Sequence, residues 1–301
     1  MKKIIRSLFV ITAILCFMAS AAFAAPADEL AALFMDMNKV NNGKVTMKAD
    51  GKFLDNTFNM LAKFNFESKP LTLIRGEAEL TICEDGDAKK ASKKAYEFYV
   101  EDNDKEYTYY YTKKGKNEWY KDSVSNDDKK TEKDAVEAAA SKMDAKLIEE
   151  LTGNVEYDAN FTGKDDKVGY KVTVDMGKFA EIMSQVAMEG AKKEEAKDIE
   201  AFREVAKNLP PLSYTIVGDT KKREITAVNM SFTKFLQGSG QAIANSNSID
   251  ATTKLLAVMA LSNAELTLNL EGNDYNKVKV EKLPDNIKKK AKQVEDTTAK
   301  K

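Results

Sequence analysis

The chain has 301 residues, 43% hydrophobic and 32% charged, with 47 Lys and Arg against 48 Asp and Glu and a formal net charge of -1. That is globular composition, and 14 Gly with 5 Pro make it neither collagenous nor low in complexity. It contains no histidine, which excludes His-dependent catalytic triads, His metal ligands and imidazole pH sensing together.

Residues 1–24 read as a secretory signal peptide. Lys2, Lys3 and Arg6 make a basic start, residues 8–18 are apolar, and Ala22-Phe23-Ala24 puts small residues at the -3 and -1 positions of a cleavage site. The apolar run is short for a membrane anchor, and Leu15 stands where lipoprotein processing at Cys16 would need a small residue. Without those three cations the expected mature chain of 277 residues carries 44 basic against 48 acidic side chains. Such a mixed surface does not suggest a nucleic-acid partner. Cys83 is its lone cysteine, so no internal disulfide is expected. No second apolar segment is long enough to span a bilayer, and beside the Lys-rich residues 288–301 no hydrophobic C-terminal anchor is expected. The expectation is a soluble exported protein of the periplasm or cell envelope, or one secreted from the cell.

An amphipathic helix is expected over 27–40, with Leu30, Leu33, Phe34 and Met37 at helical spacing. The period then changes to two. Val45, Met47 and Ala49 alternate with polar residues, as do Phe58, Met60, Ala62, Phe64 and Phe66, and then Ile74, Gly76, Ala78, Leu80 and Ile82. These runs and their polar turns predict an antiparallel meander with one dry and one wet face. It continues through 96–101, 107–111 and 118–121. A helix follows from Glu132, with Val136, Ala140, Met143, Leu147 and Leu151 as its stripe and Gly153 as its stop.

A second strand pair is expected at 155–161 and 168–174. The helical region 179–209 is divided at Gly190 and ended by Pro210-Pro211. A hairpin at 212–217 and 225–232 leads to 238–248, which is small, polar and unperiodic and reads as a loop. Residues 251–261 read as a helix, 264–270 and 278–280 as a last hairpin, and Pro284 as the start of a terminal helix. The sum is an α+β fold with about 11–12 antiparallel strands in one large sheet and helices inserted between hairpins. It reads as a single domain over 25–290, with a disordered basic tail at 291–301.

No P-loop, GxGxxG, GxSxG or CxxC motif is present. The expectation is a binding protein without catalytic residues, cofactor or metal. Three features point to what it binds. The sheet face built from Met47, Phe58, Met60, Phe64, Phe66, Ile74 and Leu80 is rich in adaptable side chains, which suit either an ordinary core or the wall of an apolar cavity. Phe179, Ile182, Met183 and Val186 form one helical stripe, either core or a lid over such a cavity, with Gly190 as a hinge. Tyr96, Phe98, Tyr99, Tyr107, Tyr109, Tyr110, Tyr111, Trp119 and Tyr120 either stabilise the sheet or form an aromatic platform for a sugar polymer or a partner protein.

A helix, then Val45-Thr46-Met47-Lys48-Ala49 and a long meander, ending in 264–270, Tyr275-Asn276-Lys277-Val278-Lys279-Val280 and Leu283-Pro284-Asp285-Asn286-Ile287, resembles the LolA/LppX-like lipoprotein-carrier superfamily. The resemblance covers nearly the whole mature chain as a pattern of elements. It implies a half-open antiparallel barrel whose concave face is covered by helices. It also implies a lipid or lipoprotein acyl chain as partner. The alternatives are an envelope sensor or scaffold holding a protein partner, and a polysaccharide-binding protein using the tyrosine-rich strands.

Overall fold

The computed structural model describes residues 25–69, 72–86, 88–102, 106–125, 154–163, 166–188 and 193–294. The signal segment, the helix expected from Glu132 and Gly190 lie outside them. The described chain is α+β, with one open twelve-stranded sheet in the order β12-β6-β5-β4-β3-β2-β1-β11-β10-β9-β8-β7. Its pairings are antiparallel apart from β12 on β6 among those with a defined register. No helix among the described residues is long and apolar enough to cross a membrane.

The chain forms two compact units. The first takes in helix α1 (Ala25–Met37), strands β7 (Asn154–Asp158), β8 (Lys167–Val174), β9 (Leu212–Asp219) and β10 (Glu224–Ser231), and helices α2 (Met176–Met188), α3 (Lys193–Ala206), α4 (Thr233–Asn245) and α5 (Ala251–Leu261). Its core is dry, because Leu30 and Leu33 of α1 and Tyr170, Val172, Val174, Leu212, Tyr214 and Ile216 are all buried. The carboxylate of Asp219 accepts the amides of Lys221 (3.1 Å) and Lys222 (2.8 Å), which closes the turn into β10.

Two expectations change in this unit. The strand from Val155 ends at Asp158, and Ala159 and Phe161 lie in the turn that follows. More of the chain is affected at 238–248, where α4 runs through the expected loop as far as Asn245. Gly238 and Gly240 weaken its intrinsic helicity by about 1 kcal/mol each, but their small size is what lets the helix pack. A Cβ on Gly238 would lie 2.6 Å from Pro210, and one on Gly240 would lie 3.1 Å from Leu261 of α5. Tertiary contact thus selects the residues that local propensity marks as a loop. By contrast α5 forms where its sequence predicts, with Asp250 as N-cap accepting the amide of Thr253 at 2.9 Å.

The second unit contains strands β2 (Asn56–Glu67), β3 (Leu73–Cys83), β4 (Ala91–Asp102), β5 (Glu106–Lys113), β6 (Tyr120–Ser125) and β12 (Lys292–Gln293), with the short helix α6 (Asp285–Lys290). Strands β1 (Asn42–Phe53) and β11 (Glu265–Asn273) are divided between the two units, most of β1 falling in the second. The last hairpin does not form, since 278–280 is not a strand. Asp274 (φ 52°) and Asn276 (φ 58°) turn the chain out of the sheet, and side chains fasten it afterwards. Asn42 Oδ1 accepts the Val278 amide at 2.8 Å, and Asn276 Oδ1 accepts the Asn41 amide at 2.8 Å. Beyond α6 the described chain continues as far as Val294, with Lys292 and Gln293 paired in parallel with Tyr120 and Lys121.

Candidate functional site

The register of the second unit decides which predicted side chains meet. Strands β2 and β3 pair Phe58 with Ile82, Met60 with Leu80, Ala62 with Ala78, Phe64 with Gly76 and Phe66 with Ile74. Strand β4 continues these rows with Tyr96 beside Ala78 and Phe98 beside Gly76. Residues directly opposite share a face, so six of the predicted side chains form one surface. Met47 joins them. The Ser68 amide bonds to Asn41 O at 2.7 Å, and Asn59 bonds to Asp50 further along the same pair of strands. Both links fit a single β1–β2 register, which sets Met47 opposite Ala62.

This face has relief. Gly76 lies so close to β2 that a Cβ there would be 2.2 Å from Lys63 O and 2.4 Å from Phe64 Cβ. The rings of Phe64 and Phe98 lean together over it, edge to face with centroids 6.2 Å apart. Ala62 and Ala78 form the next row, and Met60 and Leu80 the row beyond. Two bulky rows, four residues apart along each strand and hence about 13 Å at their Cα atoms, flank the two methyl groups of Ala62 and Ala78, whose row ends in Met47 on one side and Tyr96 on the other. Ala62 is buried, whereas Phe58, Met60, Phe64, Phe66, Ile74 and Leu80 are all half-buried.

The opposite face of the same strands is sealed at one end, while Asn59, Lys63, Glu77 and Lys93 further along it are exposed. Leu73 and Tyr99 pack with Val280 and Leu283 in a buried cluster, with Tyr110, Trp119 and Ile287 around it. The Tyr99 hydroxyl donates to Glu101 (3.1 Å), which also pairs with Lys288, and the Lys288 ammonium lies 5.4 Å from the centre of the Tyr99 ring. Burial, with the Glu101 charge second, holds the Tyr99 phenol well above its ordinary pKa. The register also sorts the tyrosines that blur the sequence pattern. Tyr96, Tyr107, Tyr109 and Tyr111 lie on the apolar face, and Tyr99 and Tyr110 on the sealed one.

The helical stripe belongs to the other unit. Phe179 of α2 is half-buried there, and the side chains of Ile182, Met183 and Val186 lie outside the described ones. Two clefts carry residues that sequence reasoning did not assemble, and none of the eleven predicted side chains lines either. The first, of about 600 Å³, lies in the first unit beside α1 and includes Glu29, Tyr157, Tyr170 and Arg223. Tyr170 donates to Glu29 at 3.1 Å, and Tyr157 also hydrogen-bonds to it. Arg223 Nε meets Asp36 at 2.6 Å, so the acid and the cation of this cleft are both engaged. The second cleft, of about 880 Å³, lies in the second unit between the 113–119 loop and α6, beside Trp119. Among the described residues no cluster of three or more Cys, Asp or Glu could hold a metal ion. Compared with known proteins, the chain matches no family model and no curated sequence.

Proposed function

We propose that the protein is an exported carrier or receptor of the cell envelope that binds a hydrophobic ligand, a lipid or the acyl chain of a lipoprotein, along the apolar face of β2–β5. In this reading residues 1–24 are the export signal, and the open sheet is the wall of a half-open barrel of the LolA/LppX-like kind. The observation that carries it is the row of Ala62 and Ala78 between Met60–Leu80 and the Phe64–Phe98 pair. An alkyl chain laid along such a row gains about 0.8 kcal/mol for each CH₂ it buries. Recognition needs shape and dryness there and no catalytic group. Phenylalanine and methionine walls tolerate variation in chain length and unsaturation because they repack at low cost.

The test is recovery of lipid by mass spectrometry from the purified chain, together with titration of a dansyl-labelled fatty acid. Bound lipid and saturable probe binding are expected, with affinity falling about tenfold or more when Ala78→Trp fills the row. A chain that carries no lipid and ignores the probe, or an Ala78→Trp variant that binds it unchanged, would sink the proposal.

A further inference from the structure

The cleft beside Trp119 stands apart from the apolar row and has different chemistry. Its outer wall is the loop from Lys113 to Trp119. Gly115 adopts φ 79° there, which turns the chain without the penalty a side chain would bring. A buried hydroxyl holds the loop in shape: Thr112 Oγ1 lies 2.8 Å from Glu118 O, 3.1 Å from Lys116 O and 3.3 Å from Lys113 O. Having one proton, it donates to one carbonyl at a time, and the Glu118 carbonyl is nearest. The inner wall is α6, whose Ile287, like Trp119, packs against the buried cluster of Leu73, Tyr99, Val280 and Leu283. A cationic loop is thus fixed to a packed base.

The charges of the cleft are unbalanced. Its one acid, Glu118, is taken up by Lys292 and by the Tyr120 hydroxyl at 2.9 Å, and the Lys292 hydrogen bond keeps its carboxyl below the usual range. Lys113, Lys116 and Lys290 line the same space, and among the described residues they make no ion pair. Three free cations therefore face one neutralised acid in a chain whose net charge is -1. Beside them Trp119 offers a flat apolar surface, and Asn117 and Asn286 each offer an amide donor and acceptor.

We infer that this cleft binds an anionic saccharide, with Trp119 stacking on a sugar ring, the two asparagines reading its hydroxyls and the lysines holding its carboxylate or sulfate groups. Lysine suits this role as a mobile point charge, while bidentate phosphate recognition would call for arginine. The cleft holds no arginine, and the chain's 47 basic side chains are balanced by 48 acidic ones, which does not suggest a nucleic-acid partner. This second ligand does not depend on the lipid reading, since it uses neither the alanine row nor its walls.

Trp119 is the only tryptophan of the chain, so its emission reports directly on the cleft. The full chain is titrated with a galacturonate oligomer, a sulfated oligosaccharide, a neutral galactose oligomer, polyaspartate and a thymidine oligonucleotide. A saturable emission change is expected with at least one of the two anionic saccharides, weakening as salt rises and falling about tenfold in affinity in the Lys116→Gln, Lys290→Gln double variant. Both lysines are exposed, and an unchanged circular dichroism spectrum would show that the variant is folded. No saturable change with either anionic saccharide would overturn the inference, as would an equal response to the neutral oligomer. Polyaspartate or the oligonucleotide binding as tightly as the saccharides would reduce the site to a general polyanion patch.

Discussion

Strands β2–β5 carry two faces made by the same alternation, and the two end in different states. On one, Leu73, Tyr99, Thr108 and Thr112 are buried, and Val280 and Leu283 come from some 180 residues further along to close it. The other is richer in large apolar side chains, yet among them only the small Ala62 is buried. Hydrophobic content therefore does not decide which face of a sheet is sealed. Sealing needs a covering segment fixed by its own bonds, and here Asn42 and Glu101 supply them by holding Val278 and Lys288.

The largest test of this contrast compares truncations on the two faces. Tyr99 has 0% exposure, so Tyr99→Ala should cost about 3–5 kcal/mol in urea unfolding. Phe66→Ala, on the half-buried face, should cost about 1–2 kcal/mol because less of its surface leaves water on folding. Equal costs would mean that the apolar face is as closed as the other, and with it the proposed ligand row. Next in size is Gly76→Val. Its Cβ would run into backbone and Cβ atoms of β2 that cannot swing away, so a loss of about 1–3 kcal/mol is expected. The variant should also separate the Phe64 and Phe98 rings, giving weaker fatty-acid binding than its stability alone explains.

Alkaline pH probes both faces at once. Tyr99 on the sealed face and Tyr107 on the apolar one both have raised pKa values, chiefly through burial, and Tyr107 is pushed up to about 12 from 10.0. Above pH 10 the unfolded chain loses these protons while the folded chain keeps them. The unfolded state then binds fewer protons, and stability falls as pH rises from about 10 through 12. Below pH 10 both states hold the protons and these groups add no slope. Tyrosinate absorbance should accordingly rise in two stages, the second coinciding with loss of far-ultraviolet dichroism. A single stage completed before unfolding would show both phenols to be freely solvated.

What was legible in the sequence follows from the range of the forces involved. The faces of β1–β3 could be read because period two is local, and α5 because its N-cap and apolar run are adjacent. Helix α4 could not, since Gly238 and Gly240 gain their meaning only against Pro210 and Leu261. Residues 278–280 look like a strand because Val278 and Val280 alternate with Lys279, but Val280 packs with Leu73 and Tyr99, and nothing near it in the chain says so. The tyrosine run resisted assignment for the same reason, its two faces being separated only by the pairing of β4 with β5. As for the candidate site, the alternation marks the seven strand side chains, while the alanine row emerges only when the strands are set in register. The cleft at Trp119 joins a loop to a helix about 170 residues away and left no local trace beyond the tryptophan itself.

The smallest expected effects separate two ion pairs of one face, one at its covered end and one where it is open to water. Lys288 and Glu101 close the edge of the sealed face, with side-chain exposures of 19% and 21%, and Tyr99 donates to the same carboxylate. Lys93 and Glu79 pair at 2.9 Å across β3 and β4 with exposures of 65% and 38%. Lys288→Gln removes one charge and leaves Glu101 partly desolvated beside a phenol, so a loss of about 1 kcal/mol is expected, allowing for the water that still reaches the pair. Lys93→Gln leaves Glu79 in water, and its unfolding midpoint should match the parent within error. Added salt should narrow the difference little, because the Lys288 pair is screened less than an open one. Should the two variants lose equal stability, the Lys288 pair would add nothing to the seal, which Val280, Leu283 and the Asn42–Val278 hydrogen bond would then carry.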